Sequence, residues 1–428
     1  MKIAIAGYGI EGKENYEYWS KMPEHTVVIV DELYKPKLAL PDGAKTMLGP
    51  DSFSQLNGFD MVIRTAGLAP YKIVTDGKIW SATNEFMTQC PVPVIGVTGT
   101  KGKGTTATLI TSLLRAGGKT VHLVGNIGTS ALASLPFIQK DDLVVFEMSS
   151  FQLWDAETSP HIAVVLGIEP DHLNVHKSME DYVLAKGEIR HFQKEGDLCV
   201  YHWSNIYSKQ IADENTNGSS IRYGIEDDGG VYVKDGDFYQ REHKLCSVDR
   251  LHVPGQHNIE NAVAALTVAA HFGLTNQQLA SGLENFNGLP HRLEKVREHA
   301  GVTYYNDSFS SSPSATIAAI RSFQQPLIVI IGGADKGADF SELAALIGDA
   351  PNIKEVVLIG ERRHELERVI GGQPTVFDGK TMDEIVAYVS GRATDGDVVL
   401  LSPGCASFDM FRDFYDRGDQ FREKVLSL

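Results

Sequence analysis

The segment VIGVTGTKGKGTTATLITSLLRAGG, residues 94–118, decides the fold prediction. Apolar β-forming residues at 93–97 lead into a loop with three glycines and two lysines, and a helix with apolar residues on one side follows. Glycine N–H groups and a helix N-terminus bind phosphate, and a lysine can reach the outer phosphates. The generic P-loop spacing would require glycine at Val97 and serine or threonine at Gly104. A glycine turn of purely structural use is the alternative, but the two lysines favour a site for ATP or a similar nucleotide.

Length and composition exclude several classes of protein. A chain of 428 residues is too long for one hydrophobic core and predicts two to four domains. Apolar runs stay below the roughly 18 residues of a membrane span, and the N-terminus does not resemble a signal peptide. Four cysteines without a CxxC pair predict neither a zinc knuckle nor a disulfide framework. A net charge of −16 argues against a nucleic-acid partner. We therefore expect a cytoplasmic protein that does not bind nucleic acid.

The first block, residues 1–90, alternates predicted strands with helices. Its strands KIAIAG, TVVIVDE and FDMVIRTAG each end in glycine or acidic residues, which predicts a parallel sheet that binds ligands at the carboxyl ends of its strands. Gly7, Gly9 and Gly12 match GxGxxG, with acidic residues about twenty positions further on, as in a dinucleotide fingerprint. An NAD-dependent oxidoreductase is thus one interpretation, but the motif is weak alone and another nucleotide-type ligand is favoured.

The central block, residues 91–292, and the third block, residues 293–428, continue the same alternation. The central block has the strands DLVVFEMSS, HIAVVLGI and DLCVYHW, predicted hairpins over 213–248, and an amphipathic helix from about His257 to Gly273. The third block repeats the pattern with GVTYYNDS, PLIVIIGG, EVVLIG and DVVLLSP. The predicted fold is α/β with three domains: a Rossmann-like N-terminal domain, a central P-loop ATPase domain with a parallel sheet, and a Rossmann-like C-terminal domain.

Several polar residues follow the strands of the central block. Glu147 ends the run LVVFE near the glycine loop, where a magnesium ligand would lie, although a helix-capping carboxylate would look the same. His172 and His176 stand four residues apart, so a zinc pair is conceivable, but the HExxH glutamate and a third ligand are missing. An isolated surface histidine is the simpler interpretation of His176. Lys186 lies in a predicted helix, where a lone lysine usually occupies a solvated face.

The third block also places polar residues in loops that follow strands. Arg292 lies near the predicted boundary of the central and third blocks, where an arginine can clamp phosphate. Asp307 closes the strand VTYY, while Lys336 and Ser407 lie on glycine-containing loops after apolar strands. Each residue alone is ambiguous. Because clefts between domains gather such loops, we expect these residues to belong to one site.

These segments together resemble the Mur ligases, the ATP-dependent amino-acid ligases of peptidoglycan assembly. The resemblance covers nearly the whole chain, and its motifs occur in family order: GTKGKGT, GNIG, EMSSFQL, DHLNVH with YVLAKGEI, GQHNIENA, GLPHRLE, NDS, GGADKGADF and SPGCASFDMFRDFYDRGDQF. The chain looks most like the branch that adds D-glutamate to UDP-N-acetylmuramoyl-L-alanine through an acyl-phosphate intermediate. The resemblance implies ATP and Mg²⁺ as cofactors, a monomer, and a first block that holds the UDP group.

The resemblance also implies roles for individual residues. The implied catalytic residues are Lys103, Glu147, His172 and Lys186. The implied nucleotide contacts are Gly99, Thr100, Lys101, Gly102, Lys103, Gly104, Thr105, Asn261, Arg292 and Asp307. The implied substrate contacts are Asn126, His172, Ser311, Lys336, Ser407 and Phe414. The implied metal ligands are Thr105, Glu147, His172 and Lys186, the last as a carbamate, which replaces the interpretation of a solvated lysine.

The sequence departs from the family pattern at two places. Gly104 stands where most Mur ligases have serine or threonine, so a magnesium-binding hydroxyl would have to come from Thr105. After NDS the chain reads Phe309-Ser310-Ser311 in place of the usual Lys-Ala-Thr, and Phe309 cannot supply a charge to an amino-acid carboxylate. Three alternatives therefore stay open: a folylpolyglutamate-synthase-like ligase, a ligase with altered amino-acid specificity, and a non-catalytic nucleotide-binding protein.

Overall fold

The computed structural model describes residues 1–36, 38–226, 229–334, 337–372 and 374–428. Contacts divide the chain into two compact units. Unit 1 comprises Met1–Arg250 and Glu260–Asn285, and unit 2 comprises Leu251–Ile259 and Phe286–Leu428. Both units combine helices with mainly parallel sheets, so the predicted α/β class is confirmed.

The first sheet of unit 1 is parallel throughout and has the order β3-β2-β1-β4-β5. Its strands are β1 (Lys2–Ala6), β2 (Thr26–Asp31), β3 (Lys45–Leu48), β4 (Met61–Arg64) and β5 (Lys78–Ser81). The helices of this part are α1 (Ile10–Trp19) and α2 (Ala82–Gln89). The three strands predicted for the first block correspond to β1, β2 and β4.

The second sheet of unit 1 is also parallel, with the order β11-β10-β9-β6-β8-β7. Its strands are β6 (Val94–Thr98), β7 (Val121–Gly125), β8 (Leu143–Glu147), β9 (Ile162–Val165), β10 (Leu198–His202) and β11 (Ser219–Tyr223). Its helices are α3 (Lys103–Ala116), α4 (Ala131–Ser134), α5 (Ser150–Leu153), α6 (Met179–His191) and α7 (Ile206–Glu214).

A small antiparallel sheet follows, formed by β12 (Val231–Lys234), β13 (Asp237–Gln240) and β14 (His243–Ser247). These strands confirm the predicted hairpins for the later part of 213–248, whereas the earlier part holds the end of α7 and the strand β11. The chain continues with α8 (Gln256–His271) and α9 (Asn276–Glu284). Helix α8 confirms the amphipathic helix that the sequence predicts from about His257.

Unit 2 contains the third large sheet, with the order β15-β16-β20-β17-β18-β19. The pair β15–β16 is antiparallel and the other pairs are parallel. Its strands are β15 (Glu294–His299), β16 (Val302–Asn306), β17 (Leu327–Gly332), β18 (Ile353–Ile359), β19 (Thr375–Val376) and β20 (Val398–Leu401). Its helices are α10 (Pro313–Ile320), α11 (Ser341–Asp349), α12 (Arg363–Ile370), α13 (Met382–Arg392) and α14 (Phe414–Leu426).

The segment that decided the fold prediction folds as expected. Every residue of β6 is buried, as a parallel strand covered on both faces requires. The apolar face of α3 consists of four leucine and isoleucine side chains that are fully buried: Leu109, Ile110, Leu113 and Leu114. Among the described residues, no helix combines the length and apolar character needed to cross a bilayer. The predicted domain boundaries at 90 and 292 stay a prediction.

Candidate functional site

The glycine loop between β6 and α3 has a backbone that requires glycine at two positions. Gly99 has φ +150° and Gly102 has φ +82°, values that side chains other than hydrogen rarely permit. A Cβ atom on Gly102 would also lie 2.2 Å from Oδ1 of Asn261, which is buried beside the loop. The close approach brings Asn261, an implied nucleotide contact, against the loop.

The two lysines of the loop differ in position. The Lys103 side chain folds back over the loop, and its Nζ donates hydrogen bonds to the carbonyl oxygens of Gly99 at 3.2 Å and Thr100 at 3.0 Å. The Lys101 side chain is 85% exposed and lies 3.5 Å from the carboxylate of Glu169. The structure therefore places the Lys103 ammonium group, and not that of Lys101, at the loop itself.

Helix α3 begins at Lys103, so Gly104 and Thr105 lie in its first turn. Both residues are buried. Thr105 follows Gly104 directly and is the first residue after the loop lysine that carries a hydroxyl. Its placement in the first turn agrees with the prediction that Thr105 supplies the hydroxyl that Gly104 lacks, but its role as a metal ligand stays a prediction.

Lys186 is buried, with 1% of its surface exposed, so the interpretation as a solvated helix face is wrong. Its Nζ donates to the carbonyl oxygen of Gly99 at 2.8 Å and lies 4.6 Å from the centre of the Tyr182 ring. Burial, and then the nearby charge of Lys103, hold the pKa of the Lys186 amine well below its ordinary value, although Asp171 and Glu147 act in the opposite direction. The neutral form of this amine is therefore favoured more than in an exposed lysine.

Glu147 lies at the edge of the second sheet that carries the glycine loop. It is the last residue of β8 and is buried. The strand register pairs Glu147 with Val97 on one side and with Gly125 on the other. Asn126 is the residue directly after Gly125. The Asn126 side chain is exposed. Parallel pairing thus places the predicted metal ligand and a predicted substrate contact at the same end of neighbouring strands.

His172 occupies a turn after β9 with an unusual backbone. Its φ is +54°, and nearly half of its side chain is exposed. The imidazole lies 3.5 Å from the Asp171 carboxylate, 5.0 Å from the Phe151 ring and 6.4 Å from the Tyr182 ring. An exposed imidazole on this edge remains accessible to a ligand.

His176 is buried, so the prediction of a surface histidine is wrong. Its Nε2 lies 3.0 Å from the Ser150 hydroxyl and its Nδ1 lies 3.4 Å from the Asp181 carboxylate. The ring packs on Trp154 at 4.0 Å between centroids. Burial lowers the pKa of His176, against the effect of Asp181, so the neutral ring is favoured. Because both ring nitrogens face protein side chains, this geometry does not favour the zinc-pair alternative.

The described part of the chain contains no group of three or more histidine, cysteine, aspartate or glutamate side chains arranged to hold a metal ion. Magnesium is commonly held by one or two carboxylates together with phosphate oxygens and waters, without a cage made by the protein alone. A buried carboxylate at Glu147, next to a phosphate-type loop, fits that mode of binding.

Unit 2 carries a second set of predicted site residues. The Asp307 carboxylate accepts hydrogen bonds from the Leu293 backbone N–H at 3.1 Å and from the Ser402 hydroxyl at 2.7 Å. Burial raises the pKa of Asp307 to about 6 despite these bonds. The Arg292 guanidinium lies 4.4 Å from the centre of the Phe309 ring.

Phe309 lies between Arg292 and Phe414, and Phe414 is a predicted contact of the incoming amino acid. Its ring meets that of Phe414 edge to face at 5.1 Å, and 45% of its surface is exposed. Ser407 is buried in the loop before α14, and its carbonyl oxygen accepts the N–H of Phe411 at 2.9 Å. Ser311 is exposed. Lys336 lies outside the described residues.

Tyr182 is a residue of this site that the sequence analysis missed. Its hydroxyl lies 3.1 Å from Oγ1 of Thr100 in the glycine loop, and its ring contacts Lys186 and His172. The signal was present, since Tyr182 and Lys186 are four residues apart on α6 and therefore share one face. Within unit 1, the structure thus brings together the loop, Asn261, Glu147 and Lys186, with Tyr182 between the loop and the histidine turn.

Comparison with known proteins agrees with this geometry. The family model described as Mur ligase middle domain matches residues 97–269, and the model described as Mur ligase, glutamate ligase domain matches residues 291–405.

Two curated relatives carry the name UDP-N-acetylmuramoylalanine--D-glutamate ligase. The protein of Clostridium tetani is 34% identical over 451 residues, which cover 100% of this chain and 97% of the relative. The protein of Ruminiclostridium cellulolyticum is 36% identical over 455 residues, with the same coverage of both chains.

Among solved structures, the MurF ligase of Thermotoga maritima in complex with ADP has a TM-score of 0.58 at 19% identity and covers 99% of this chain and 94% of its own. At that identity the likeness bears on the fold alone, and the fold is that of a three-domain Mur ligase. Family models and full-length relatives lead to the same assignment: the chain belongs to the Mur ligase family.

Proposed function

We propose that this enzyme is a UDP-N-acetylmuramoylalanine--D-glutamate ligase, which uses ATP to join D-glutamate to UDP-N-acetylmuramoyl-L-alanine in the synthesis of peptidoglycan precursors. One observation carries the chemistry: the amines of Lys103 and Lys186 both donate to the carbonyl oxygen of Gly99, at 3.2 and 2.8 Å. A phosphate loop with the half-buried Lys103 side chain and the buried Lys186 amine suits phosphoryl transfer. Full-length relatives with that name support the choice of substrates.

The reaction needs an activated carboxylate, because a free carboxylate has no good leaving group. One oxygen of the L-alanine carboxylate attacks the γ-phosphorus of ATP, the bond to the β-phosphate oxygen breaks, and ADP leaves. The amine of D-glutamate then attacks the carbonyl carbon of the acyl phosphate. The carbon–oxygen bond breaks, phosphate leaves with the electron pair, and the nitrogen loses a proton. Lys103, held over the loop by Gly99 and Thr100, would offset charge on the transferring phosphoryl group.

Magnesium is the cofactor that the donor set fits. We propose Thr105, Glu147, His172 and a carbamate on Lys186 as its protein ligands, beside phosphate oxygens. The ion supplies charge stabilisation on the phosphates. Carbamate formation requires a neutral amine, which attacks the carbon of carbon dioxide and loses a proton. The lowered pKa of Lys186 supports this modification, because it increases the fraction of the amine that is neutral.

The remaining predicted contacts divide by ligand. We propose that the loop residues, Asn261, Arg292 and Asp307 bind the nucleotide. We propose that Asn126 and His172 bind the muramoyl peptide, and that Ser311, Lys336, Ser407 and Phe414 bind the amino acid. Residues 1–90, 91–292 and 293–428 would then be the UDP-substrate, ATP and amino-acid domains.

A second candidate is a Mur ligase that adds a different amino acid. Phe309 favours it, because its partly exposed ring lies under Arg292 and against Phe414, where it offers no charge to a side-chain carboxylate. An uncharged aromatic ring would suit a less acidic amino acid better than D-glutamate.

Phosphate release separates these functions. The protein is incubated with ATP, magnesium and UDP-N-acetylmuramoyl-L-alanine, and the amino acid is varied. Release that depends on D-glutamate supports the main proposal, and release with another amino acid supports the second. Release with a folate substrate in place of the UDP precursor would favour a folylpolyglutamate-synthase-like ligase. An absence of release with every acceptor, while ATP still binds, would favour a non-catalytic nucleotide-binding protein.

We also propose that the enzyme acts as a monomer in the cytoplasm, where ATP and UDP-linked precursors occur. Light scattering after gel filtration should give a mass near 46.8 kDa for the monomer. A mass of twice that value would refute it.

A further inference from the structure

The first sheet has a predicted ligand crevice that follows from its strand order. From β1 the chain moves outward to β2 and β3, and then returns to the other side of β1 with β4 and β5. Ligands of such sheets bind outside the carboxyl ends of the strands where the order reverses, here between β1 and β4. The turn at residues 65–68, directly after β4, therefore forms one wall of that crevice. Its Thr65 hydroxyl donates to the Ala6 carbonyl at the end of β1 at 2.9 Å.

Arg64, the last residue of β4, holds this turn from behind. Its side chain is fully buried. Nη1 donates to the carbonyl oxygen of Leu68 at 2.8 Å and makes longer contacts with the carbonyl oxygens of Thr65 at 3.3 Å and Ala66 at 3.4 Å. One guanidinium nitrogen thus binds three carbonyl groups of a single turn, which fixes the course of its backbone.

The other guanidinium nitrogens bind a segment that follows β8 of the second sheet. Nε and Nη2 each lie 2.6 Å from one carboxylate oxygen of Asp155, and Nη2 also donates to the Phe151 carbonyl oxygen at 2.7 Å. Such a bidentate pair fixes both distance and orientation. Residues 151–155 therefore have a defined position relative to the turn at 65–68.

The segment 151–155 in turn contacts the candidate active site. It begins four residues after Glu147, and the Phe151 ring lies 5.0 Å from that of His172. Arg64 is therefore bonded on one side to the wall of the crevice in the first sheet and on the other side to the backbone of the residue that packs on His172.

We propose that Arg64 and Asp155 form a positioning pair, which sets the distance between the nucleotide end of the UDP-linked substrate and the site at which its carboxylate is phosphorylated. The inference rests on the proposed function. Neither residue touches the reacting atoms. A substrate bound at residues 65–68 would present its far end near His172 only if the two segments keep this spacing.

The test compares two variants and a control with the wild type in steady-state kinetics of phosphate release, with each substrate varied in turn. Arg64→Lys keeps the positive charge but loses the two parallel hydrogen bonds of the guanidinium group to Asp155. Asp155→Asn keeps the shape of the side chain but loses its charge. We expect each to lower kcat/KM for UDP-N-acetylmuramoyl-L-alanine by about 10- to 100-fold, as misplacement of a reacting group does. The KM values for ATP and D-glutamate should change by less than about threefold, because the described side-chain bonds of Arg64 go to residues 65–68 and 151–155.

Lys78→Gln provides the matched control. Lys78 on β5 forms an ion pair with Glu157 at 3.0 Å, so it joins the same two parts of the chain, but both side chains are about half exposed. An exposed pair contributes little, and kcat/KM should stay within about twofold of the wild type. A loss in this control equal to that in Arg64→Lys would overturn the proposal.

A second readout guards against misfolding and against failure of the ligase assignment. Calorimetry measures the affinity of each folded variant for UDP-N-acetylmuramoyl-L-alanine without ATP, and Asp155→Glu replaces any variant that does not fold. Weaker binding or lower kcat/KM for this substrate alone supports the pair. Equal losses for all three substrates, or no loss, would overturn it. Wild-type protein that binds the precursor but releases no phosphate would refute the ligase proposal, and wild-type protein that does not bind it would refute both.

Discussion

Replacing Gly102 with alanine is expected to destabilise the protein and weaken ATP binding. Gly102 has φ +82°, and the left-handed backbone costs about 1–2 kcal/mol for a residue with a Cβ. The new methyl group would also lie 2.2 Å from Oδ1 of Asn261, a buried side chain that accepts the Thr106 hydroxyl at 3.3 Å. Overpacking of this kind costs about 1–3 kcal/mol more. The free energy of unfolding should therefore fall by about 2–5 kcal/mol.

Gly118→Ala separates the two contributions. Gly118 has φ +79°, nearly the same backbone, but a Cβ at that position would meet no atom within 4 Å. In Gly118→Ala the free energy of unfolding should therefore fall only by the cost of the left-handed backbone, about 1–2 kcal/mol. The measurement is thermal unfolding of both variants beside the wild type, together with the KM for ATP, which should rise in Gly102→Ala alone because only that substitution shifts the phosphate loop.

A double variant tests the cause directly. Asn261→Ala removes the atom that the new methyl group would strike, so Gly102→Ala combined with Asn261→Ala should be less destabilised than the sum of the two single changes. The reasoning is refuted if Gly102→Ala is no less stable than Gly118→Ala, or if the two substitutions at 102 and 261 are additive.

Three further predictions concern titratable groups. Lys186→Ala should lose most of its ligase activity and recover part of it with short carboxylates such as acetate, because these can replace a carbamate; wild-type activity in this variant would contradict the carbamate. Because burial lowers the pKa of His176, the folded state favours the neutral ring. The contribution of this ring to stability should be complete above about pH 6.5 and should decrease as the pH falls below that value. His176→Gln should therefore show a smaller fall in unfolding temperature than the wild type between about pH 8 and about pH 5.5. Because burial raises the pKa of Asp307 to about 6, the free energy of unfolding should decrease by about 3 kcal/mol as the pH rises from about 4 to about 6. Urea unfolding of Asp307→Asn should lack this decrease. The same pH profile in Asp307→Asn as in the wild type would contradict the role of Asp307.

Local sequence patterns predicted the strand–loop–helix segment well. Val94, Ile95 and Val97 are apolar and β-branched, the loop is rich in glycine, and α3 shows a clear helical period. Each part of the segment therefore favours the structure it adopts. The same holds for α8 and for four strands of the third sheet, β16, β17, β18 and β20, whereas β15 and β19 were not predicted. These features depend on residues close together in the sequence, which is why periodicity and turn residues identify them.

The burial of Lys186 and His176 could not be predicted in this way. Lys186 is surrounded by Gly99 and Tyr182, and the contact with Gly99 joins residues 87 positions apart. His176 is covered by Phe151 and Trp154 of the segment after β8. A helical lysine and a loop histidine look solvated when only their own elements are considered, because tertiary contacts determine what covers them. The motif resemblance singled out Lys186, but it gave no reason for the lowered pKa of its amine.

The reason lies in the arrangement of two amines around one carbonyl. Lys103 and Lys186 both donate to Gly99, so two positive charges there would repel each other, and one amine must become neutral more readily than the other. Lys186 is almost fully buried, whereas Lys103 is only half-buried at the start of α3. Burial, and then the nearby charge of Lys103, therefore lower the pKa of the Lys186 amine and favour its neutral form. In the proposed mechanism the two lysines therefore have different roles: the Lys103 ammonium group binds a phosphate, and the Lys186 amine reacts with carbon dioxide.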